Sequence, residues 1–286
     1  SNLLSRISTS TGDLAPLQEQ LAAAQKFAGE VAIKRTNYEH RIAALGFELP
    51  DDGGQFWELR DQLMDDATRI DSQLEAGNTQ AALEGYLSAA QSFEKLNLPL
   101  YQAQAYANIA PILAGQGMLD QGRVYLERAL AIQRKAGNRP AEGATLLNLG
   151  ALLNDAGKVS ESVAAYESAR AIFEGLGDRR SEALALHNLG RSHTEQRRFD
   201  EAIRYLGQAL ALRVSVEDQR GALSSRLGLG QALSDSGKVA EAIPLLEAGL
   251  AESRQLGVVE LEAEARLRLF DAYRKAGRLA GAIDHL

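Results

Sequence analysis

The residue types that most often perform catalysis or bind metals are few in this sequence, and their spacing forms no active site. The chain has four histidines, His40, His187, His193 and His285, and no cysteine. His187 and His193 are six residues apart, so on a helix they lie on different faces, whereas a helical metal pair needs histidines four apart. The lack of cysteine excludes disulfides, thiolate zinc sites and a thiol nucleophile.

Two further chemical signatures occur only in forms that do not indicate catalysis. The acidic pairs Asp51-Asp52 and Asp65-Asp66 lie in a linker and on a predicted helix, and the pattern around them predicts no pocket. Gly115-Gln116-Gly117 follows no predicted strand, so it is not the glycine-rich loop of a nucleotide site. We therefore predict a non-enzymatic protein with no metal and no cofactor.

Charge and composition narrow the classes of partner. A formal net charge of -7 and a pI near 5.3 oppose nucleic-acid binding, which needs a concentrated basic face. No apolar run approaches the roughly 18 residues that span a bilayer, and the first residues lack the apolar core of a signal peptide. We expect a cytoplasmic protein without nucleic-acid or membrane partners. Its Ala/Leu/Arg-rich composition favours a bacterial source.

The sequence repeats itself every 40 residues. Asn148-Leu149-Gly150 recurs as Asn188-Leu189-Gly190, and related triplets stand 40 residues before and after them. A second column is glycine at every step but one, where Arg197 replaces it: Gly77, Gly117, Gly157, Gly237 and Gly277. A third column holds only small residues: Ala89, Ala129, Ala169, Ala209 and Gly249. Three columns with one period indicate stacked structural units.

Each unit is predicted to contain two helices joined by a tight turn. The fourth unit has its first helix at about 180–196, with apolar residues at helical spacing, and the glycine column ends such helices with a positive φ. The predicted N-caps of the second helices are Asp120, Ser160 and Asp200. The predicted N-caps of the first helices are Asn138, Asp178 and Asp218. Where the two helices nearly touch, we expect Gly150, Gly190 and Gly230 to face Ser162, Ala202 and Ala242.

This pattern resembles the tetratricopeptide repeat. In the fourth unit the matching residues are Asn188-Leu189-Gly190, Glu201-Ala202-Ile203 and Ala209-Leu210. The family's usual unit is about 34 residues, and the longer one here is similar to the repeats of kinesin light chains, Pins-type scaffolds and bacterial signalling proteins. The resemblance implies an all-α, right-handed α-solenoid of stacked antiparallel helix pairs.

The predicted domain organisation has three parts. Residues 1–50 form an extra helical segment, 51–56 a linker and 57–286 the repeat array. The units are predicted at 57–96, 97–136, 137–176, 177–216 and 217–256, with an incomplete unit at 257–286. In the first unit Ile70 replaces the small residue, as a terminal unit allows. Because the last unit stops inside its second helix, we expect the chain to be a fragment of a longer protein.

Residues 14–45 carry apolar residues at alternating spacings of three and four. The seam comprises Leu14, Leu17, Leu21, Ala24, Ala28, Val31, Arg35, Tyr38, Ile42 and Leu45. Two interpretations remain open: a helix that caps the first repeat, or a coiled coil that forms a homodimer.

The resemblance also implies where a partner would bind. In similar proteins the first helices line the concave surface, and partners contact the column held here by Asn108, Asn148 and Asn188. An asparagine amide both donates and accepts hydrogen bonds, so it can hold a peptide backbone. Further predicted binding residues are Gln104, Asn154, His187, Arg191, Gln231, Arg268 and Arg274. Packing is an equal alternative for His187, and His193 is predicted to be a core histidine.

We therefore predict a protein- or peptide-binding scaffold or sensor module that regulates an attached or associated signalling output. The cationic positions that clamp a terminal carboxylate in similar chaperone-binding repeats hold Ala107, Pro111 and Leu147 here, so an internal segment is the expected ligand. The alternatives are a self-assembling structural module and a receptor for a short signalling peptide.

A charge in the heptad seam tests the coiled-coil interpretation. If residues 14–45 form a dimer, Leu21→Asp will convert it to a monomer, because a carboxylate buried between two helices is costly. Light scattering measures the mass, and circular dichroism checks that helicity is retained. An unchanged mass would leave the capping interpretation.

Overall fold

The computed structural model describes Ile70, Gln73, residues 76–95, residues 97–278 and Gly281. The predicted N-terminal segment, its seam at 14–45 and the linker at 51–56 lie outside these residues. The described part contains ten α-helices and no strand. They are α1 (Thr79–Lys95), α2 (Pro99–Gly115), α3 (Leu119–Lys135), α4 (Arg139–Asp155), α5 (Val159–Leu176), α6 (Arg179–Glu195), α7 (Phe199–Ser215), α8 (Gln219–Asp235), α9 (Val239–Leu256) and α10 (Val259–Lys275).

The predicted repeat of helix pairs is confirmed. The even-numbered helices are the first helices of the units and begin 40 residues apart, from Pro99 to Val259. Every helix packs against the next along the chain, and each first helix also contacts the first helix of the following unit. Among the described helices, no two second helices make such a contact. The stack therefore curves with its first helices on the inside.

The turn between the two helices of a unit depends on one residue with a positive φ. Gly157 has a φ of 70°, and the N–H of Lys158 then donates to the Leu153 carbonyl at 2.8 Å, which closes the end of α4. The other glycines of the column also have positive φ values, as predicted. Arg197 takes the same conformation with a φ of 59°, although a side chain makes it less favourable.

The N-cap predictions are correct for the first helices and wrong for the second. Asn138, Asp178 and Asp218 each accept a hydrogen bond from a backbone N–H in the first turn, at 3.2, 3.1 and 2.9 Å. The second helices instead begin two residues earlier than predicted, with Met118, Lys158 and Arg198 at the N-cap and no side-chain cap bond.

The displaced candidates Asp120, Ser160 and Asp200 stand at the second helical position. The short turn causes the shift, because only one residue separates the positive-φ position from the helix. Asp120 lies 3.5 Å from Lys158 of the next unit, an exposed ion pair that contributes little to stability.

Small residues allow the two helices of a unit to approach closely, and a large side chain of the second helix also packs against each glycine. A Cβ on Gly150 would lie 2.5 Å from the Tyr166 ring, and a Cβ on Gly190 would overlap Leu206. The expected partners Ser162, Ala202 and Ala242 lie one turn earlier on the second helix. Ser162 still touches the glycine, since its hydroxyl donates to the Gly150 carbonyl at 2.7 Å.

The first unit reverses the sizes, and its glycine stands one residue before the position equivalent to Tyr166. Ile70, which stands where later units have glycine or alanine, is 2% exposed, and a Cβ on Gly85 would lie 2.5 Å from its side chain. The large residue on one helix is thus accommodated by a glycine on the other.

Two glycine substitutions should therefore have opposite effects on stability. Gly190→Ala should destabilise the array by about 1–3 kcal/mol, because the new methyl group has no room beside Leu206. Gly207→Ala should stabilise it by about 0.5–1 kcal/mol, because Gly207 is inside α7 and a Cβ there meets no neighbour within 4 Å. Urea denaturation midpoints measure both effects. Equal shifts of the same sign would contradict this account of the packing.

Candidate peptide-binding surface

A largely exposed stripe of the first helices forms one surface, here called the inner face. It comprises positions 104, 108, 111 and 115 of α2 and the positions 40, 80, 120 and 160 residues later in α4, α6, α8 and α10. Residues at this spacing share one side of a helix. Because the first helices lie inside the curve of the stack, the inner face is its concave surface.

The predicted asparagine column lies on the inner face. Asn148 is exposed, and Asn108 and Asn188 are half-buried. Gln104 donates to the Asn108 side-chain oxygen at 3.0 Å. Within the described part of the chain, the side chains of Asn148 and Asn188 form no hydrogen bond, so their amides are available to a ligand.

Each of these asparagines borders a hollow in the surface. Asn108 and Pro111 line one of about 520 Å³ between α1 and α2. Asn148 and Pro111 line a second of about 300 Å³ between α2 and α4. Asn188 lines a third of about 50 Å³ beside Tyr166. The hollows follow one another along the array, so an elongated ligand would meet them in sequence.

Two predicted binding residues, Asn154 and Arg274, lie beside the inner face at equivalent positions. The amide of Asn154 is occupied by the next unit: it donates to Glu195 at 2.7 Å and accepts from the Ser192 hydroxyl at 3.2 Å. Arg274 is exposed and donates to Asp271 at 2.7 Å. Asn154 thus serves repeat-to-repeat packing.

The inner face changes character along the array. Apart from Asp155, its positions on α2 and α4 carry no charge, whereas Arg191 and Glu195 of α6, Asp235 of α8 and all four positions of α10 are ionic. Gln231 donates to Asp235 at 2.9 Å, and Asp235 also accepts from Lys275 at 2.5 Å. Arg268 is bonded to Glu264. Most ionic groups of this half therefore have partners inside the protein.

His187, for which the sequence leaves binding and packing open, is buried in the contact between two units. It is 8% exposed, and its Nδ1 lies 3.2 Å from the Ser225 hydroxyl of α8. Equivalent positions hold the buried Ala107, Leu147 and Leu227. Burial, reinforced by the positive charges of Arg213, Arg191 and Arg268, lowers the pKa of His187 to about 3.

The other members of this buried cluster were not selected from the sequence pattern. Arg213, near the end of α7, is 6% exposed and donates to the Ser225 hydroxyl at 3.1 Å and to the Gly221 carbonyl at 2.5 Å. The cluster joins α6, α7 and α8. A charged residue in a column that otherwise holds Gln133, Phe173 and Ser253 is the signal that could have indicated it.

His193 is the core histidine that the sequence predicts. It is 5% exposed and stacks on the Tyr205 ring, with the ring centroids 5.3 Å apart. Burial lowers its pKa, so its neutral form is favoured in the folded protein.

Family models decide the identity of the repeats. Models described as tetratricopeptide repeat match residues 101–175, 142–215, 181–255 and 227–286. The chain belongs to the tetratricopeptide repeat (TPR) family. Repeat scaffolds of this family are generally non-catalytic. No curated protein matches the sequence.

Solved structures show the same fold at low sequence identity. The TPR-like repeats of a protein named as a kinesin light chain in Podosopora anserina share 24% identity over 64% of this chain and 90% of that one, with a TM-score of 0.56. A Rap protein complexed with competence and sporulation factor shares 18% over 76% of this chain and 60% of that one, at 0.63. A Pyrococcus horikoshii signal transduction ATPase with a TPR sensor shares 15% over 89% and 40%, at 0.69.

In the part of the chain that the structure describes, no group of three or more histidine or acidic side chains is arranged as metal ligands would be. The helices of this part are too short or too polar to cross a membrane.

The buried histidine predicts a specific pH dependence of stability. Because its folded pKa of about 3 lies below the ordinary value of 6.5, the unfolded chain binds a proton between these pH values that the folded chain does not. Stability should therefore fall as pH drops below about 6.5, by about 2 kcal/mol at pH 5 from this group. His187→Leu, the residue of the neighbouring units, should remove that loss.

The measurement is the denaturant midpoint of wild type and His187→Leu at pH 7 and pH 5. We expect the wild type to lose more stability than the variant over this range. Equal losses would show that His187 is not held neutral in the folded protein.

Proposed function

We propose that this TPR protein is a non-catalytic scaffold or sensor module that binds an extended protein or peptide segment on its inner face. The observation that carries the proposal is the row of equivalent asparagines on consecutive first helices, each beside a hollow. The amides of Asn148 and Asn188 have no partner among the described residues and can bind a backbone from its carbonyl and N–H groups.

The spacing of the row suits an extended chain. Packed helices lie about 8–10 Å apart, and an extended peptide rises about 3.3 Å per residue. Each step from one asparagine to the next would therefore cover about three peptide residues, and the three asparagines would hold a segment of about seven residues. Side chains between the held backbone groups would enter the hollows and supply sequence preference.

Two relatives support a role in signalling. The Rap structure is a complex with competence and sporulation factor, and the Pyrococcus protein carries its TPR array as the sensor of a signal transduction ATPase. By analogy, occupation of the inner face here would regulate an attached or associated output domain. A receptor for a short signalling peptide is a special case of this function.

Selection from a library of short random peptides displayed on phage tests the proposal. Peptides that the full chain enriches should lose about tenfold or more of their affinity when Asn108, Asn148 and Asn188 are all replaced by alanine. Each substitution removes hydrogen bonds to the peptide without disturbing a buried apolar contact. Titration calorimetry with synthetic copies of the enriched peptides measures the affinity.

The matched control replaces three exposed glutamines of the second helices, Gln91, Gln121 and Gln208, by alanine. This variant should bind as the wild type does, because these amides lie on α1, α3 and α7, away from the inner face. If the asparagine variant keeps full affinity, or both variants lose it equally, the inner face is not the binding surface.

A further inference from the structure

We infer that the bound segment places a large apolar side chain in each of the hollows beside Asn108 and Asn148, and only a small side chain at the hollow beside Asn188. These are called the first, second and third hollows. The inference rests on the proposed function, to which it adds a side-chain pattern for the ligand. Because one step of the array covers about three residues of an extended peptide, the three side chains should be about three residues apart.

The three hollows are the same structural site in consecutive units. Each combines a buried residue of a second helix with inner-face positions of the first helix that follows it, and equivalent residues are 40 apart. The buried residues are Tyr86, Leu126 and Tyr166, from α1, α3 and α5. An extended segment along the inner face would therefore present side chains to the three hollows at equal intervals.

The second hollow is lined largely by apolar groups. Leu126 and Leu152 are buried, and the exposed Pro111 and Ala151 add apolar surface nearer the solvent. Asp155 is exposed and is the one charged group among the described residues that line this hollow. A charged ligand side chain would lose its water here for at most one compensating group, whereas an apolar side chain gains by leaving water.

The first hollow shares a wall with the second and has a similar character. Pro111 and Gly115 line both hollows. The buried Tyr86 and Ile112 supply further apolar surface, and the described residues around the first hollow include no charged side chain. Its other lining residues have neutral polar side chains: Thr79, Asn108 and Gln116. Two adjoining hollows of this kind match two apolar side chains on one segment.

The volumes of the hollows limit the size of the side chain that each can hold. A cavity of about 150 Å³ is large enough to bind benzene. The first and second hollows, of about 520 and 300 Å³, therefore have room for an aliphatic or aromatic side chain. The third, of about 50 Å³, has room for little more than a methyl group.

Larger residues narrow the third hollow. Arg191 stands where the second hollow has Ala151. Asn154 stands where the second hollow has Ala114, and two hydrogen bonds to the next unit, at 2.7 and 3.2 Å, hold its amide in place. The ligand position beside Asn188 is therefore limited to glycine, alanine or serine.

The test uses the peptides selected on the full chain. Those whose binding needs the asparagines should share large apolar residues at two positions about three apart, followed about three residues later by a small residue. Replacing either apolar residue by alanine should weaken binding about tenfold or more, because less apolar surface then leaves water. Titration calorimetry measures each change. Peptides that instead share a lysine or arginine and bind Asp155→Asn more weakly would overturn the inference.

Gly115→Leu fills space that the first two hollows share. Gly115 is exposed at the end of α2, and a Cβ there would meet no neighbour within 4 Å, so the added side chain displaces no part of the protein. The variant should bind the selected peptide about tenfold more weakly. It should weaken binding less when the peptide already carries one of the alanines, because both changes remove the same contact. Equal losses for every peptide would contradict the inference.

The matched control is Gly175→Leu. Gly175 is also exposed near the end of a helix, and a Cβ there would likewise meet no neighbour within 4 Å. Because it belongs to α5, a second helix, it lies away from the inner face. This variant should bind all the peptides as the wild type does.

Arg191→Ala gives the third hollow the residue of the second. A peptide with valine in place of its small residue should bind this variant about fivefold more tightly than it binds the wild type. A misfolded variant cannot show that gain. Equal affinities of the two proteins for the valine peptide would contradict the size limit assigned to the third hollow.

The outcomes separate this inference from the proposed function. If peptides bind in an asparagine-dependent manner but accept any side chain at the three positions and ignore Gly115→Leu, the side-chain pattern is wrong and the inner face remains the binding surface. If binding does not depend on the asparagines, the proposed function itself fails.

Discussion

Each helix pair in this protein has an apolar stripe that only the neighbouring pair can cover, and this constraint organises the rest of the array. Covering the stripe requires the helices to approach closely at fixed points. The column that contains Gly150 and Gly190 allows this, because Gly190 leaves room for Leu206 and Gly150 leaves room for the Tyr166 ring. The same residues must recur at every unit because the same contact recurs. The 40-residue period of the sequence therefore reflects the repeated packing contact. The first helices of neighbouring units contact each other on the inside of the stack.

The inner face of the first helices lies largely outside this packing, although Gly228 is buried beside Leu206, and it is there that the units differ. Along a single column of the inner face the residues are Asn108, Asn148, Asn188, Gly228 and Arg268. Most of these positions are at least partly exposed, so packing restricts their size and charge less than it does in a core. This freedom lets one regular scaffold present amides in one half and ionic groups in the other.

Polar contacts make the interfaces between consecutive units differ from one another. Asn154 bridges to Glu195, and His187 contacts Ser225, a hydroxyl that also binds Arg213. In the interface one unit earlier, the positions of His187, Arg213 and Ser225 hold Leu147, Phe173 and Ala185. That interface is therefore apolar at these positions, whereas the later one is polar. Within this buried cluster Arg213 carries a positive charge, and it lies below the half of the inner face that has most of the ionic residues.

By itself the sequence determined the period, the helix pairs, the positive-φ turns, the caps at Asn138, Asp178 and Asp218, and the column that holds the asparagines, because each of these follows from local conformation repeated along the chain. Seven of the ten predicted binding residues lie on the inner face for the same reason. Only the tertiary structure decided that the second helices start before Asp120, that Gly190 meets Leu206, and that Asn154 and His187 are used in packing. Those outcomes depend on contacts between residues of different helices, and a spacing pattern fixes the side of a helix on which a residue lies but not the atoms it meets there.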